Sequence, residues 1–337
     1  MPRMTSVLGD VTAESPAMRR VLSMVERVAD CNVPVLITGE SGVGKTVLAR
    51  HIHGTSSRRS RPFLKVDCAA LRAEPLEAEL FGHERGAFPG ADATRMGKFE
   101  FAHGGTLMLD EIGEMPAVLQ AKLRQVLEDR AVTRLGTNAA VPINVRVISA
   151  TSRHLHESMR AGEFRPDLYY RIQVVEIHVP PLRERRAEIL PLADRFLATH
   201  ATRSPRGAHG IGEAMRRALL SYDWPGNVRE LQNVMRRVAI LGDDAAIRLE
   251  LLDAEARAVG RLGSRPAVAD GPAAASLRQV SKRAAQAAER DAIERTLATW
   301  RWNRRRAARE LGVSYKTLLN KMRDCGLSAL SSNHSAM

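Results

Sequence analysis

Cysteine is nearly missing from this chain: Cys31, Cys68 and Cys325 are the only three in 337 residues. None stands at CxxC spacing, so the sequence writes neither a disulfide framework nor a cysteine-held zinc site, and a reducing compartment fits. Long apolar runs are missing too. No stretch approaches the roughly 18 consecutive apolar residues that cross a bilayer. The opening MPRMTSVLGDVTAESPAMRR lacks the apolar core of a secretory signal. These absences exclude a membrane partner and leave the cytoplasm. Internal repeats are also lacking, and low complexity is confined to one segment near residue 265.

What is present is length and positive charge. A chain of 337 residues has room for two or three domains, each with its own core. Lys+Arg total 51 against 38 Asp+Glu, a net charge of +13 that favours nucleic acid or another anionic surface as partner. Residues 276–327 hold 13 Lys+Arg and 5 Asp+Glu, a net of +8, so the excess concentrates in a basic C-terminal module.

Met18, Val21, Leu22, Val25 and Val28 fall at helical spacing behind a possible cap, Ser15. Short β-rich runs follow at 33–38, 63–67, 106–110, 145–151 and 174–179, separated by helical patterns. That alternation predicts an α/β fold, a parallel sheet with helices on both faces, over residues 1–181. Past Pro180 and Pro181 the pattern is helical only, which predicts an all-helical subdomain at 182–254. Residues 255–277 are rich in Ala, Gly and Pro and read as a flexible linker. Helical patterns resume over 278–327, and 328–337 read as a disordered tail.

Gly39-Glu40-Ser41-Gly42-Val43-Gly44-Lys45-Thr46 matches GxxxxGK followed by Ser or Thr, directly after an apolar strand and before a helix. In that context the glycines turn backbone N–H groups inward around phosphates and the helix N-terminus adds positive dipole. Lys45 then reaches the β- and γ-phosphates, and Thr46 ligates Mg²⁺. Downstream, the strand TLMLD ends in Asp110 and Glu111. Asp110 is the candidate for holding the Mg²⁺ shell and Glu111 for polarising the attacking water. Phosphoryl transfer also needs positive charge at the γ-phosphate, and Arg165 and Arg171 in FRPDLYYRI are candidates for it. The residues alone leave a second reading open, in which these arginines pair with Glu163 and Asp167.

Near the C-terminus Ala307, Ala308, Leu311, Val313, Leu318 and Met322 are spaced as two short helices packing across a turn at Gly312, with Ser314 capping the second. This is helix-turn-helix spacing. Ser314, Tyr315, Lys316, Thr317, Asn320 and Lys321 would face the major groove of double-stranded DNA, and Arg304, Arg305 and Arg306 its phosphates.

GESGVGKT, ELFGHERGAFPGA, GGTLMLDEIGEMP, FRPDLYYRI, VPPLRER and WPGNVRELQN, in that order, resemble the bacterial enhancer-binding proteins, the AAA+ activators of sigma-54 RNA polymerase. The resemblance covers residues 10–255 as the AAA+ module and about 278–327 as a Fis-type DNA-binding domain. It implies a P-loop ATPase sheet, an α-helical lid and a C-terminal all-α domain that binds upstream activator sites. Further implied are a ring, usually a hexamer, and Arg165 and Arg171 as arginine fingers acting on the neighbour's site. Arg229 is implied as a lid sensor of the γ-phosphate, and Thr151 and Ser152 as lining the nucleotide site. The loop Gly86-Ala87-Phe88-Pro89-Gly90-Ala91, with Phe88 at its tip, is implied to engage sigma-54, in a bacterial cytoplasm close to the nucleoid.

Three positions depart from the family's pattern. Pro89 replaces Thr, losing a hydroxyl and an N–H, although Pro-Gly suits a type II turn. Asp67 replaces the Asn that restrains the catalytic Glu, bringing two carboxylates together. Ser152 replaces Asn with a shorter side chain. Pro89 motivates an alternative function, a DNA-binding AAA+ regulator that no longer engages sigma-54 and acts as a repressor or with another polymerase form. With residues 1–9 directly preceding the AAA+ module, no receiver or sensor domain is expected, and control is expected from a separate regulatory protein in trans, from expression level, or not at all.

Overall fold

Ser15 sets the first element. Its hydroxyl accepts the Met18 N–H at 3.1 Å and Pro16 fixes the first helical position, starting α1 (Pro16–Val28). The buried face of α1 is Met18, Val21, Val25 and Val28, four of the five positions anticipated from spacing, with Leu22 half-buried against the same core. In the computed structural model the described residues are 14–201, 210–241 and 247–249, with 293, 296–297, 300, 303–310, 315, 317–318 and 322 near the C-terminus. The expected linker 255–277 and tail 328–337 lie outside them.

The chain divides into two units, Met1–Ser264 and Arg265–Met337. In the first, α1 is followed by β1 (Val35–Thr38), α2 (Lys45–Gly54), β2 (Phe63–Asp67), α3 (Ala73–Phe81), β3 (Gly82–His83), β4 (Arg95–Met96) and α4 (Lys98–Phe101). Next come β5 (Thr106–Asp110), α5 (Ala117–Asp129), β6 (Ala131–Thr133), β7 (Ala140–Pro142), β8 (Arg146–Thr151), α6 (Leu155–Arg160), α7 (Pro166–Ile172) and β9 (Val175–His178). The five predicted strands form one sheet in the order β2-β5-β8-β1-β9, with every pair parallel. Alternation along each strand divides the core. Val35, Ile37, Met108 and Ile148 pack with α1 and α2, while Leu36, Leu107, Leu109 and Val147 pack with α3, α5, α6 and α7. Both faces are covered, as an all-parallel sheet requires.

Two short antiparallel ribbons, β3–β4 and β6–β7, were not anticipated. Their strands have two or three residues, too few for an alternation to register in sequence. β3 and β4 flank the loop at 86–91.

The lid holds α8 (Ile189–Ala201), α9 (Glu213–Ser221) and α10 (Asn227–Leu241) around Trp224, fully buried with its indole N–H on the Leu219 carbonyl at 2.9 Å. Lid and sheet are joined by a buried cluster. Glu188, wholly buried, accepts from the Ser15 hydroxyl at 2.7 Å and from Arg185 at 3.2 Å, and Arg185 also donates to the Val43 carbonyl at 2.6 Å. Burial pushes the Glu188 carboxyl up and the Arg185 guanidinium down, so each depends on its partner to stay charged.

In the second unit, α11 (Arg304–Glu310) is capped by the Asn303 side chain, which accepts the Arg306 N–H at 3.2 Å. Ala307, Ala308, Leu318 and Met322 pack with Ile293 and Leu297, so four of the six apolar positions assigned to a helix-turn-helix share one core, while Leu311 and Val313, like Gly312 at the expected turn, lie outside the described residues.

Replacing Trp224 with Ala removes the largest side chain of the lid core and leaves a cavity; a loss of about 3–5 kcal/mol is expected. Val118→Ala, at a position 76% exposed, is expected to stay within about 0.5 kcal/mol. Denaturant midpoints of the two variants check the pair.

Candidate active site

The P-loop sits where β1 ends and α2 begins. Gly39, Gly42 and Gly44 all take positive φ, and Gly44 is the N-cap of α2, so the loop wraps the first turn of a ten-residue helix whose leading N–H groups have no intrahelical acceptor. Gly42 has a second reason to be glycine: a Cβ there would lie 2.3 Å from the Gly226 carbonyl of the lid. Lys45, 6% exposed, donates to the carbonyls of Gly39 at 2.8 Å and Glu40 at 3.2 Å, and its ammonium is 3.3 Å from Glu111 Oε1.

Register brings the acidic residues to the same edge. Asp67 and Asp110 are paired positions at the carboxyl ends of β2 and β5. Thr46 Oγ1 lies 3.4 Å from Asp110 Oδ2. A hydroxyl and a carboxylate, both hard oxygen donors, converge as a Mg²⁺ site that also uses substrate phosphates would need. Glu111, the first residue beyond β5, takes a left-handed conformation, φ 50°. Its Oε2 accepts from both the backbone N–H and the hydroxyl of Ser152, each at 2.8 Å.

That arrangement redistributes the expected roles. Ser152, expected to line the nucleotide site, holds Glu111. Asp67, expected to set a second carboxylate beside Glu111 where the family has a restraining Asn, accepts from the Ala69 N–H at 3.0 Å, and no hydrogen bond joins it to Glu111 among the described residues. A short side chain on the strand next door reaches the carboxylate more directly. Thr151, fully buried at the end of β8, accepts the Arg153 N–H at 3.1 Å and so shapes the turn that presents Ser152. The neighbouring Cys68 thiol is pushed up to about 12 by burial first and then by Asp67, Asp110 and Glu111, which leaves it inert.

The lid and the segment leading into it reach the P-loop through Arg229, Asn227 and Arg183. Arg229 donates from Nη1 to Ser41 Oγ at 3.1 Å and from its backbone to the Gly42 carbonyl at 3.3 Å. Asn227, fully buried with φ 54°, accepts the Leu182 N–H at 2.8 Å and donates to Glu40 Oε2 at 3.0 Å and the Ser41 carbonyl at 3.1 Å. Arg183 grips Glu40 with two bonds of 2.9 and 2.6 Å. Asn227 and Arg183 were missed as site residues. The signal for Asn227 was its place in WPGN before a helix, since Asn tolerates the left-handed region better than most residues.

Arg165 and Arg171 are elsewhere. Arg165 pairs with Asp167 through bonds of 3.0 and 2.8 Å, and Arg171 donates to the Leu127 carbonyl at 2.9 Å. Among the described residues neither bonds to Lys45, Thr46, Asp110 or Glu111. Glu163, the other partner considered, pairs with Arg153 at 3.1 Å. In the loop, the Ala91 N–H bonds the Phe88 carbonyl at 3.0 Å and Gly90 has φ 96°. With proline at the second position this is a type II turn, as the Pro-Gly pair suggested. Gly86 N–H to Ala91 O, 2.9 Å, closes the loop around it; Ala87 lies beside Gly136, and Phe88 is 38% exposed, edge-on to His83.

On α11, Arg304 is half-buried and Arg306 is exposed, its guanidinium 5.6 Å from the centre of the Trp300 ring. Arg305 belongs to the same helix, with its side chain outside the described residues. Tyr315 and Thr317 are exposed while Leu318 is buried, which places the two on the outer side of their helix. Ser314, Lys316, Asn320 and Lys321 lie outside the described residues.

A parallel P-loop sheet, a helical lid bonded to the loop and two carboxylates at the next strand end define an AAA+ nucleotide-binding module. The comparisons place it. Residues 11–178 match the sigma-54 interaction domain, 183–266 the AAA+ ATPase lid domain and 285–324 the Fis family of bacterial regulatory proteins. The chain belongs to the sigma-54-dependent transcriptional regulators. It is 41% identical over 323 residues to the transcriptional regulatory protein FlbD of Caulobacter vibrioides, covering 93% of this chain and 70% of FlbD. Against the DNA-binding transcriptional activator HyfR of Escherichia coli it is 41% identical over 327 residues, covering 95% of this chain and 48% of HyfR. NtrX from Brucella abortus in complex with ADP superposes with a TM-score of 0.69 at 32% identity, over 96% of this chain and 70% of that one. Among the described residues no helix is long and apolar enough to cross a membrane.

The grip of Arg183, then Asn227, holds the Glu40 carboxyl at about 2, well below its ordinary 4.5. A depressed carboxyl contributes stability above its unfolded pKa and loses it as pH falls through the folded value. The contribution is therefore full above about pH 4.5 and declines toward pH 2. Because Glu40 is 42% exposed, solvent screening limits it to about 1 kcal/mol or less. Glu40→Gln is expected to lower the melting temperature at pH 7 and to flatten its fall between pH 4.5 and 2, read by thermal unfolding across that range.

Proposed function

We propose that this protein is an ATP-driven transcription activator: it binds upstream DNA through its Fis-type domain and uses ATP hydrolysis to remodel the closed complex of sigma-54 RNA polymerase. The observation that carries this is the junction of Lys45, Thr46, Asp110 and Glu111 under a lid that bonds directly to the P-loop. A site so connected converts a change at the phosphates into lid movement.

In this reading Gly39 to Lys45 cradle the phosphates, and Ser152 and Lys45 direct the Glu111 carboxylate toward the attacking water. Thr46 and Asp110 hold Mg²⁺, which neutralises charge on the phosphate oxygens. Arg229 reports the γ-phosphate to the lid. Arg165 and Arg171, which bond to Asp167 and to the Leu127 carbonyl rather than to their own P-loop, act on the site of the next subunit in a ring, taken to be a hexamer. Gly86 to Ala91 present Phe88 to sigma-54. The working boundaries are 1–181 and 182–254 for the AAA+ module, 255–277 for the linker and 278–327 for the DNA-binding domain, in the cytoplasm.

The alternative, a regulator that has left sigma-54, is not favoured: Pro89 sits in a closed type II turn with Phe88 still exposed. Pro89→Thr is accordingly expected to change promoter opening by sigma-54 polymerase in vitro by less than about threefold, within about 1 kcal/mol. A gain of tenfold or more would restore the alternative.

Lys45→Ala is expected to abolish nucleotide binding and promoter opening. Arg165→Ala or Arg171→Ala should bind nucleotide yet hydrolyse it about 10³-fold more slowly. Mixing Lys45→Ala subunits with an arginine variant should restore part of the ATPase rate, since some sites then combine an intact P-loop with intact fingers. No recovery at any ratio would confine the arginines to their own chain.

A further inference from the structure

Lys65 belongs to none of the motifs and is the middle residue of β2, yet its side chain ends at the catalytic edge of the sheet. The ammonium lies 2.6 Å from Asp110 Oδ2 and 3.4 Å from Thr46 Oγ1, and those two oxygens are 3.4 Å from each other. They are the same two oxygens assigned above to Mg²⁺. Lys65 therefore places a positive charge on the donor pair that a divalent cation would use. Lys45 does not share the task, because it is committed to Glu111 and to the carbonyls of Gly39 and Glu40.

A Mg²⁺ ion bonds oxygen at about 2.0–2.1 Å with near-ideal octahedral geometry. An ammonium held against the same carboxylate oxygen would stand within a few ångströms of it, in a cleft where the Asp110 side chain is 13% exposed and charges are poorly screened. Both cations cannot keep that oxygen at full strength. Lys65 has somewhere to go: its side chain is 34% exposed, on a flexible four-carbon stem. We propose that Lys65 is a resident competitor for the magnesium position, neutralising Asp110 until the divalent ion displaces it and thereby setting how much Mg²⁺ the nucleotide site requires. This rests on the assignment of Mg²⁺ to Thr46 and Asp110.

Two consequences follow from linkage. Without Lys65, Asp110 faces the phosphates unneutralised, so nucleotide alone binds more weakly. With its competitor gone, Mg²⁺ is recruited at lower concentration. The dependence of nucleotide affinity on Mg²⁺ thus grows when the lysine is removed, whereas a lysine that merely braces β2 against β5 would leave that dependence unchanged.

The test is equilibrium binding of a fluorescent ADP analogue to the full chain, in EDTA and across a Mg²⁺ titration, for the unaltered protein, Lys65→Met, Lys65→Arg and Asp110→Asn. Lys65→Met, close in volume and without charge, is expected to bind the analogue several-fold more weakly in EDTA. It should also reach its half-maximal Mg²⁺ effect at about tenfold lower concentration, a typical coupling between two linked sites. Lys65→Arg keeps the charge and should stay near the unaltered protein, which separates electrostatics from a folding defect. An unchanged or higher Mg²⁺ midpoint in Lys65→Met overturns the proposal while leaving the magnesium assignment standing. If the unaltered protein shows no Mg²⁺ effect, or Asp110→Asn keeps the full effect, the assignment itself fails and the proposal falls with it.

Discussion

Two carboxylates adjacent in the chain, Asp110 and Glu111, close a buried strand at a cleft where water is scarce, and each has to be neutralised there. Each draws its own cation: Lys45 lies 3.3 Å from Glu111 and Lys65 2.6 Å from Asp110. The charges come from different elements, one from the start of α2 and one from the middle of β2. Ser152 adds two donors to Glu111 from the end of β8. Neutralising a pair of anions therefore ties the P-loop and the edges of β2, β5 and β8 into one geometry, which is the preorganisation that phosphoryl transfer needs.

The P-loop is held equally from the other side. Glu40 is gripped by Arg183 and Asn227, Ser41 by Asn227 and Arg229, Gly42 by the Arg229 backbone and Val43 by Arg185. Four consecutive loop residues thus bond to the lid or to the segment leading into it. Arg185 continues through Glu188 to Ser15, the cap of α1. A buried pair of this kind adds little net stability, because desolvation offsets the attraction, but it fixes register: removing either partner strands a charge in the core. The start of α1, the approach to the lid and the phosphate loop are consequently set relative to one another before any nucleotide arrives.

How much of this was legible depended on the scale of each signal. The five sheet strands were readable because each is a β-rich run flanked by helical periodicity, and the P-loop because glycine spacing, strand and helix agree. The ribbons of two and three residues carried no period. Asp67 and Ser152 were both found in the sequence, but which one holds Glu111 depends on strand order, since β5 lies between β8 on one side and β2 on the other. Lys65 was invisible because a lysine inside FLKVD reads as the polar position of an alternating strand. Only the parallel register, which aligns Lys65 with Met108 and Asp67 with Asp110, shows that its side chain reaches the acidic edge. Asn227 and Arg183 needed the lid folded back onto the loop.

The loop carrying Phe88 shows how a departure from a family pattern is judged by structure. Proline at 89 removes an N–H, but in a type II turn the second position donates no turn hydrogen bond, so nothing is left unpaired. Its fixed φ and the positive φ of Gly90 hold the turn that the Ala91–Phe88 bond closes. The loop's base is braced as well. Glu84 accepts from Thr94 at 2.6 Å and from Arg134 at 2.9 Å, and Arg134 also pairs with the buried Glu100 at 2.6 Å. Next to Glu100, Phe99 stacks on Phe81 at the end of α3, where β3 begins, and its helix α4 runs into β5 and so to Asp110. The apolar tip is therefore mounted on a packed frame whose helix α4 leads along the chain into the strand that ends at Asp110. A proline on such a mount costs a hydroxyl contact while sparing the entropy of ordering the tip, and these two effects oppose each other.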